Sequence, residues 1–324
     1  MKKLSAVAAI VAATISSLCA MNLNTKATIP APLRDGDRIA IVSPSGPVDS
    51  ALVYAAADTL RGQGYRVDIF PSALGKCGQY AASDSARLAD LSAALTDSTV
   101  RAILCSRGGY GAVHLLDSLS ALPLERDPKW LIGFSDISAL HALLASRGIA
   151  SIHGNMCKHI ALGPDDEDNA TFLAMLRGYR PAYEFAPDSL NRCGQASGRL
   201  LGGNLAVIAE LINTPYDVIQ PGTILFIEDV EEPIYKIERI MYQLRLSGVL
   251  PRLAGLIVGQ FTGYRPNDSY ETMERMIADM TAPYTYPVAF NVPIGHVDHN
   301  VPVIQSAEVT LTVTPEGTSL SFQK

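Results

Sequence analysis

Metal-binding cysteine patterns are missing from this sequence. The five cysteines, at positions 19, 77, 105, 157 and 193, include no C-x-x-C pair and no ligand-like spacing, which argues against a zinc site. Basic runs are missing too. Lys and Arg total 26 against 32 Asp and Glu, for a net charge of −6, so nucleic acid is not the expected partner. After the N-terminus no apolar run reaches the roughly eighteen residues that a membrane span needs. No internal repeat or low-complexity segment is present, and the only tryptophan is Trp130. What remains is an ordinary globular composition: 324 residues, 48% hydrophobic and 18% charged, long enough for two domains and a large core.

The N-terminus differs in texture. MKKLSAVAAIVAATISSLCA has two lysines, an apolar segment from Leu4 to Leu18, then small residues, the layout of a secretory signal peptide. Cleavage after Ala20 is expected, with an exported, periplasmic product. Leu18 is an unusual residue at the minus-three position. Cys19 raises a lipoprotein alternative that Ser16-Ser17-Leu18 matches poorly, and translation from Met21 would instead give a cytoplasmic chain. Exported, the protein would have two loop cysteines, Cys77 and Cys193, available to pair. Cys105 and Cys157 read as core residues.

Along the chain, RIAIV (38–42) reads as a short apolar strand followed by the loop 43–47. A helical pattern at 51–60 ends at Gly62 and Gly64, and 65–70 is the next strand. Leu88, Leu91, Ala94 and Leu95 mark a helix, 100–105 a strand, and 106–111 (SRGGYG) a loop before a helix through Leu115 and Leu116. Strand 129–132, a helix to about Ala145 and strand 149–153 follow. Continuous apolar strands alternating with helices imply a parallel sheet covered on both faces. Ligands bind beyond the carboxyl ends of such strands, where Ser43, Gly108-Gly109, Ser135 and His153 fall. After about Pro181 the pattern changes: strands at 224–227 and 255–261, a helix at 234–246, and a closing hairpin of 307–313 and 318–322 around Thr314-Pro315-Glu316-Gly317. The expected organisation is a signal peptide at 1–20, a leader at 21–32, an α/β domain at 33–181 and a smaller, mixed, more β-rich domain at 182–324.

The stretch LIGFSDISALHALL (131–144) places Ser135 at a strand-to-helix turn. Such a serine resembles a nucleophile elbow, although Ile137 stands where the usual pattern has its second glycine. Ser135 or Asp136 also suits a helix N-cap, the commoner role, and the local residues leave both readings open. An activated serine needs a base, a group that orients the base, and oxyanion donors. Of the six histidines, His141 and His159 read as structural. His153, in HGNM at a strand end, is a candidate for lining the site. His296, in PIGHVDHN, follows a glycine in a loop that suits a base, with His299 as its decoy. In ILFIEDVEEP, Glu228 and Asp229 end an apolar strand and face opposite ways, so either is a candidate orienting carboxylate.

GDRIAIVSPSGPV, DSARLADLSAALTD, SRGGYGAVHLLDSL, LIGFSDISALH, SIHGNM, GRLLGGNL, ILFIEDVEEPIYKIERIM and NVPIGHVDHN occur in one order. Together they resemble the serine LD-carboxypeptidase family, the muramoyl-tetrapeptide carboxypeptidases, over about residues 33–305. The departures are HGNM for the commoner HGPM, Ser138 where threonine is frequent, His114 where arginine often stands, and the signal peptide itself.

The resemblance implies a Rossmann or flavodoxin-like N-terminal domain joined to a smaller, swivelling, β-rich domain, commonly as a homodimer. It implies a Ser135–Glu228–His296 triad, an oxyanion hole from the backbone N–H groups of Gly109 and Asp136, and a murein peptide substrate, with no cofactor or metal. Arg107, beside the oxyanion loop, is a candidate partner for substrate carboxylates, a structural ion pair being the alternative. Two other functions stay open. A microcin-C-immunity-type peptidase would share the triad but needs an aromatic for stacking on adenine, and Trp130 lies in an apparent core strand. A non-catalytic murein-peptide-binding protein would use the same cleft.

Overall fold

A computed structural model describes residues 26–323. The signal-peptide segment 1–20 lies outside the described residues. The folded body begins before the expected boundary at Leu33. Thr28 bridges Ile149 in parallel fashion, its N–H donating to Gly148 O at 2.7 Å while Ala150 N–H donates to Thr28 O at 2.9 Å. Trp130 Nε1–H donates to Ala31 O at 3.1 Å. These are contacts of main-chain atoms, which the polar, proline-bearing sequence of the segment does not reveal.

The first part of the chain alternates strands and helices: β1 Arg38–Val42, α1 Ser50–Gly62, β2 Arg66–Ile69, α2 Asp84–Thr96, β3 Val100–Cys105, α3 Leu116–Ser120, β4 Trp130–Gly133, α4 Ser138–Ser146, β5 Ser151–His153, α5 Cys157–Ile160 and α6 Glu167–Leu176. Local rules set the ends of these helices. Asp49 caps α1 by accepting Ala51 N–H at 2.9 Å, and Ser83 caps α2 by accepting Ala86 N–H at 3.3 Å. Gly64, at φ 90°, turns the chain after α1 into β2. The chain continues with β6 Ala182–Phe185, β7 Gly194–Asn204, α7 Leu205–Glu210, β8 Ile224–Val230, α8 Ile234–Leu246, β9 Gly255–Thr262, α9 Met273–Thr281, β10 Val288–Ala289, β11 Val303–Gln305, β12 Glu308–Thr314 and β13 Gly317–Phe322.

The first sheet has the order β11-β5-β4-β3-β1-β2. Its β1 to β5 pairings are parallel, and β11 returns late in the chain to pair antiparallel with β5. From β1 the chain winds outward to β2, and from β3 the other way to β4 and β5. The β1/β3 boundary is therefore the topological switch point, where the loops after neighbouring strands diverge and open a crevice. The second sheet runs β10-β9-β8-β7-β12-β13-β6. Its first four strands are parallel and the rest antiparallel, the mixed, β-rich character expected.

One core joins the two sheets: Ile132, Ile152 and Val303 of the first pack in the same cluster as Phe226, Ile257 and Leu200 of the second. Each fully buried Ile, Leu or Phe side chain of this kind is worth about 1.5–3 kcal/mol. Their number fixes the strands that carry the site. Cys77 and Cys193 are exposed free thiols and do not pair. Cys77 belongs to a turn closed on Tyr80, whereas Cys193 follows Arg192, which is bridged to Val288 beside the second sheet. Cys105 and Cys157 are buried free thiols, as expected.

Candidate active site

Ser135 occupies the turn between β4 and α4. Its φ is 66°, the left-handed region that a residue with a side chain rarely adopts. The backbone thereby reverses within a short 3-10 turn, Ser135–Ile137, directly after the strand. His141, one turn into α4, donates from Nε2 to Gly133 O at 2.8 Å and accepts at Nδ1 from the Ser151 hydroxyl at 2.7 Å. Burial pushes its pKa down to about 4, so it stays neutral and braces the elbow. The neighbouring strand-end loop comes equally close. A Cβ on Gly108 would lie 2.7 Å from Ser135 Cβ and 2.9 Å from its Oγ.

The base and its orienting carboxylate come from the other half of the chain. His296 Nε2 lies 3.0 Å from Ser135 Oγ, and its Nδ1 lies 2.7 Å from Glu228 Oε2. Ser135, Glu228 and His296 thus converge across sequence separations of 161 and 68 positions. Glu228 lies near the end of β8 and is fully enclosed. Burial raises its pKa, with the His296 bond opposing. Burial lowers that of His296, but the bond to Glu228 and its charge prevail, so the imidazole is held above its ordinary value. Gly295 permits the approach: its φ is 130°, and a Cβ there would sit 2.8 Å from Glu228 Oε2.

The two decoys have other work. Asp229 accepts Asn204 Nδ2–H and Ala206 N–H, both at 2.9 Å, and so holds the start of α7. His299 lies with Nδ1 3.1 Å from Asp168 Oδ2, and the same oxygen accepts Asn300 N–H at 2.7 Å. Asn300 Oδ1 in turn accepts Gly295 N–H at 2.9 Å. The loop that carries His296 is thus tied to α6 through Asp168, a dependence that the motif alone did not reveal.

Gly109, at φ 111°, lies in the loop beside Ser135, and its N–H has no backbone acceptor among the described residues. The Asp136 amide is in the same corner: a Cβ on Gly108 would stand 3.3 Å from Asp136 N. The Asp136 carboxylate faces the other way. It accepts the Ser45 hydroxyl at 2.5 Å and Ala112 N–H at 2.8 Å, tying together the loops after β1 and β3. Burial raises its pKa, against these bonds.

Two cavities flank Ser135. The larger, about 720 Å³, is lined by His296 together with Arg107, Gly109, Phe134 and Lys158. The smaller, about 250 Å³, is lined by Gly109, Asp136, Asn204 and Lys236 but not by His296. Arg107 makes no ion pair among the described residues, its Nη1 donating to Pro47 O at 2.8 Å. His153 does not reach the cleft. It is fully buried, lies against the rings of Phe134 and Phe226, and lines neither cavity. Its strand end is covered by Phe134, a side chain larger than a strand-end reading anticipates. Among the described residues no cluster of His, Cys, Asp or Glu could hold a metal ion.

A positioned serine, an imidazole on its oxygen and a buried carboxylate behind the imidazole form the arrangement of an activated nucleophile. Gly108→Ala is expected to slow acylation of Ser135 by a serine-directed fluorophosphonate at least ~100-fold, because a displacement of about 1 Å costs that much. Intact-protein mass spectrometry over time measures it, and labelling at the wild-type rate would refute the contact.

The chain matches two family models: the LD-carboxypeptidase N-terminal domain over residues 39–154 and the LD-carboxypeptidase C-terminal domain over residues 197–311. It is 30% identical over 271 residues to the murein tetrapeptide carboxypeptidase of Pseudomonas aeruginosa, covering 80% of this chain and 88% of that one. The structure of a muramoyltetrapeptide carboxypeptidase from Oxalobacter formigenes superimposes with a TM-score of 0.80 at 26% identity, covering 89% and 99% of the two chains. An MccF-like protein from Bacillus anthracis has the same fold, with a TM-score of 0.81 at 23% identity over 92% and 100% of the chains.

Proposed function

Because the chain belongs to the LD-carboxypeptidase family and is a carboxypeptidase hydrolase, we propose that it removes the terminal D-alanine from murein tetrapeptides by a Ser135–His296–Glu228 mechanism. The observation that carries this reading is the continuous chain of contacts from Ser135 Oγ through the His296 ring to Glu228. His296 takes the proton of Ser135 as its oxygen attacks the carbonyl that joins the L-centre of the third residue to D-alanine. The N–H groups of Gly109 and Asp136 stabilise the oxyanion. His296 then gives the proton to the departing amine, and water, deprotonated by the same ring, releases the acyl group. Glu228 holds the proton on Nδ1, leaving Nε2 free to accept.

The test is incubation of the purified protein with a defined muropeptide tetrapeptide, followed by mass analysis. Loss of one alanine is expected, and an unchanged peptide would sink the proposal. Action on a peptidyl-adenylate gains no support from Trp130, which is fully buried and turned inward onto Ala31. Export and a homodimer belong to the same proposal. N-terminal sequencing that found Met1 on cytosolic protein would remove export, and a monomer mass by sedimentation would remove the dimer.

The rate should depend on pH in a defined direction. His296 must be neutral to accept a proton, and its pKa is held above 6.5 by Glu228. The acid limb of kcat/KM is therefore expected to have its midpoint above about 6.5, with activity lost as pH falls through it. Glu228→Gln removes the charge that raises the pKa, so the limb moves to lower pH while the plateau rate falls. A limb that stayed in place in that variant would show another group titrating.

A further inference from the structure

The two cavities beside Ser135 differ in a way that assigns the ends of the substrate, given the proposed roles of Ser135 and His296. The proton that His296 receives must go to the leaving amine, so the departing residue lies on the side of the serine that His296 reaches. His296 lines the cavity of about 720 Å³ and is absent from the lining of the cavity of about 250 Å³. The departing residue of a carboxypeptidase carries a free carboxylate that needs a cation. Two cations line the larger cavity, Arg107 and Lys158. Arg107 belongs to the loop that carries Gly108 and Gly109, and Lys158 to α5. Both are exposed, and among the described residues neither makes an ion pair.

Three acidic groups line the same cavity, Asp49, Glu231 and Asp298, and neither cation pairs with any of them. Asp49 is engaged as the cap of α1. Glu231 and Asp298 enter from the segment after β8 and from the His296 loop, which is the other half of the chain. The cation of the smaller cavity, Lys236, is already paired with Glu232 at 2.6 Å. A fixed guanidinium with N–H groups left over suits a carboxylate. Arg107 has its position set by the bond to Pro47 O.

We infer that Arg107 and Lys158 form the subsite for the free carboxylate of the departing residue, on the His296 side of Ser135. The acyl part of the substrate then extends past the smaller cavity. In the sequence Arg107 is a candidate partner for substrate carboxylates in general, whereas nothing there marks Lys158, whose position in the cleft depends on how α5 packs.

The experiment compares kcat/KM for a tetrapeptide ending in a free carboxylate with that for the same peptide ending in a primary amide. Wild type is expected to prefer the acid by about 30-fold, the scale of one charge-assisted contact. The double variant Arg107→Gln/Lys158→Gln is expected to bring the ratio within about 3-fold, chiefly through KM, with an unchanged melting temperature. Lys236→Gln is expected to leave the ratio as in wild type. A ratio that survives in the double variant, or that collapses in Lys236→Gln instead, overturns the assignment. Loss of alanine from neither peptide in wild type would overturn the proposed function and take the subsite with it, whereas cleavage of both at equal rates would overturn the subsite alone.

Discussion

Ser135→Ala is expected to reduce D-alanine release by about 10⁴-fold or more, the cost typical of removing an activated nucleophile, while leaving stability nearly unchanged. The hydroxyl touches His296 at 3.0 Å at a half-exposed position, and the alanine Cβ keeps the same backbone requirement. Ser135→Gly separates the two properties further. Serine at φ 66° holds a conformation that costs of order 1–3 kcal/mol, and glycine adopts it freely. This variant should be as inactive as the alanine variant and yet more stable, by up to about 1 kcal/mol once the greater freedom of unfolded glycine is subtracted. Urea unfolding monitored by circular dichroism reads the stability, and alanine release by mass analysis reads the activity. An active Ser135→Ala would mean that Ser135 is not the nucleophile. A Ser135→Gly less stable than Ser135→Ala would mean that the elbow is not strained. Strain of this kind is what a site maintains for function at the expense of stability.

How far the sequence reveals this arrangement depends on the kind of interaction. The strands of the first sheet are legible because burial on both faces forces continuous apolar runs, as in RIAIV, and the chain shows such runs at β1, β3 and β4. Helix α8 is legible at its observed bounds, Ile234–Leu246, since one face alone is buried. Strand β7 is not. It is GQASGRLLGGN, with four glycines, residues of low strand propensity. Its glycines answer to packing: a Cβ on Gly202 would lie 1.8 Å from Phe226 O of β8. Strand β11, three residues long, is too short to carry a pattern.

The site divides in the same way. Ser135 is placed by its local turn, but choosing Glu228 over Asp229 and His296 over His299 needed the family resemblance, because adjacent carboxylates and nearby histidines look alike in sequence. The structure gives the physical difference: Asp229 accepts Asn204 Nδ2–H and the backbone N–H of Ala206, and the His299 ring is engaged with the Asp168 carboxylate. His153 differs from the expectation because a strand-end position does not tell that Phe134 and Phe226 enclose it.

The residue least legible in the sequence carries the second large prediction. Arg87, in the first turn of α2, is a charged residue and yet is fully buried. Its guanidinium donates to Pro44 O, to Gly111 O at 3.0 Å and, through Nε, to Ala82 O at 3.2 Å, and it pairs with Asp84. It also stacks over the Tyr80 ring, 5.0 Å from the centroid. Pro44 belongs to the loop after β1 and Gly111 to the loop after β3, the two loops that Asp136 joins from the other side. One side chain therefore closes the back of the proposed oxyanion corner.

Arg87→Met keeps much of the volume but leaves the Pro44 carbonyl without a donor, at about 1–3 kcal/mol, and leaves Gly111 O with the His114 N–H alone, at 3.2 Å. It also removes the positive charge that faces Asp136. A loss of about 3 kcal/mol or more in unfolding free energy is expected by urea titration. In the fraction that remains folded, kcat should fall by more than KM rises, since the loops position the oxyanion donors and not the ground state. Arg87→Lys is expected to recover part of the stability through one carbonyl contact, but little of kcat, because an ammonium cannot bridge both loops at once. If Arg87→Met unfolds at the wild-type urea concentration, the buried guanidinium is not what joins the loops. If Arg87→Lys restores kcat in full, charge alone suffices and the forked geometry is not required.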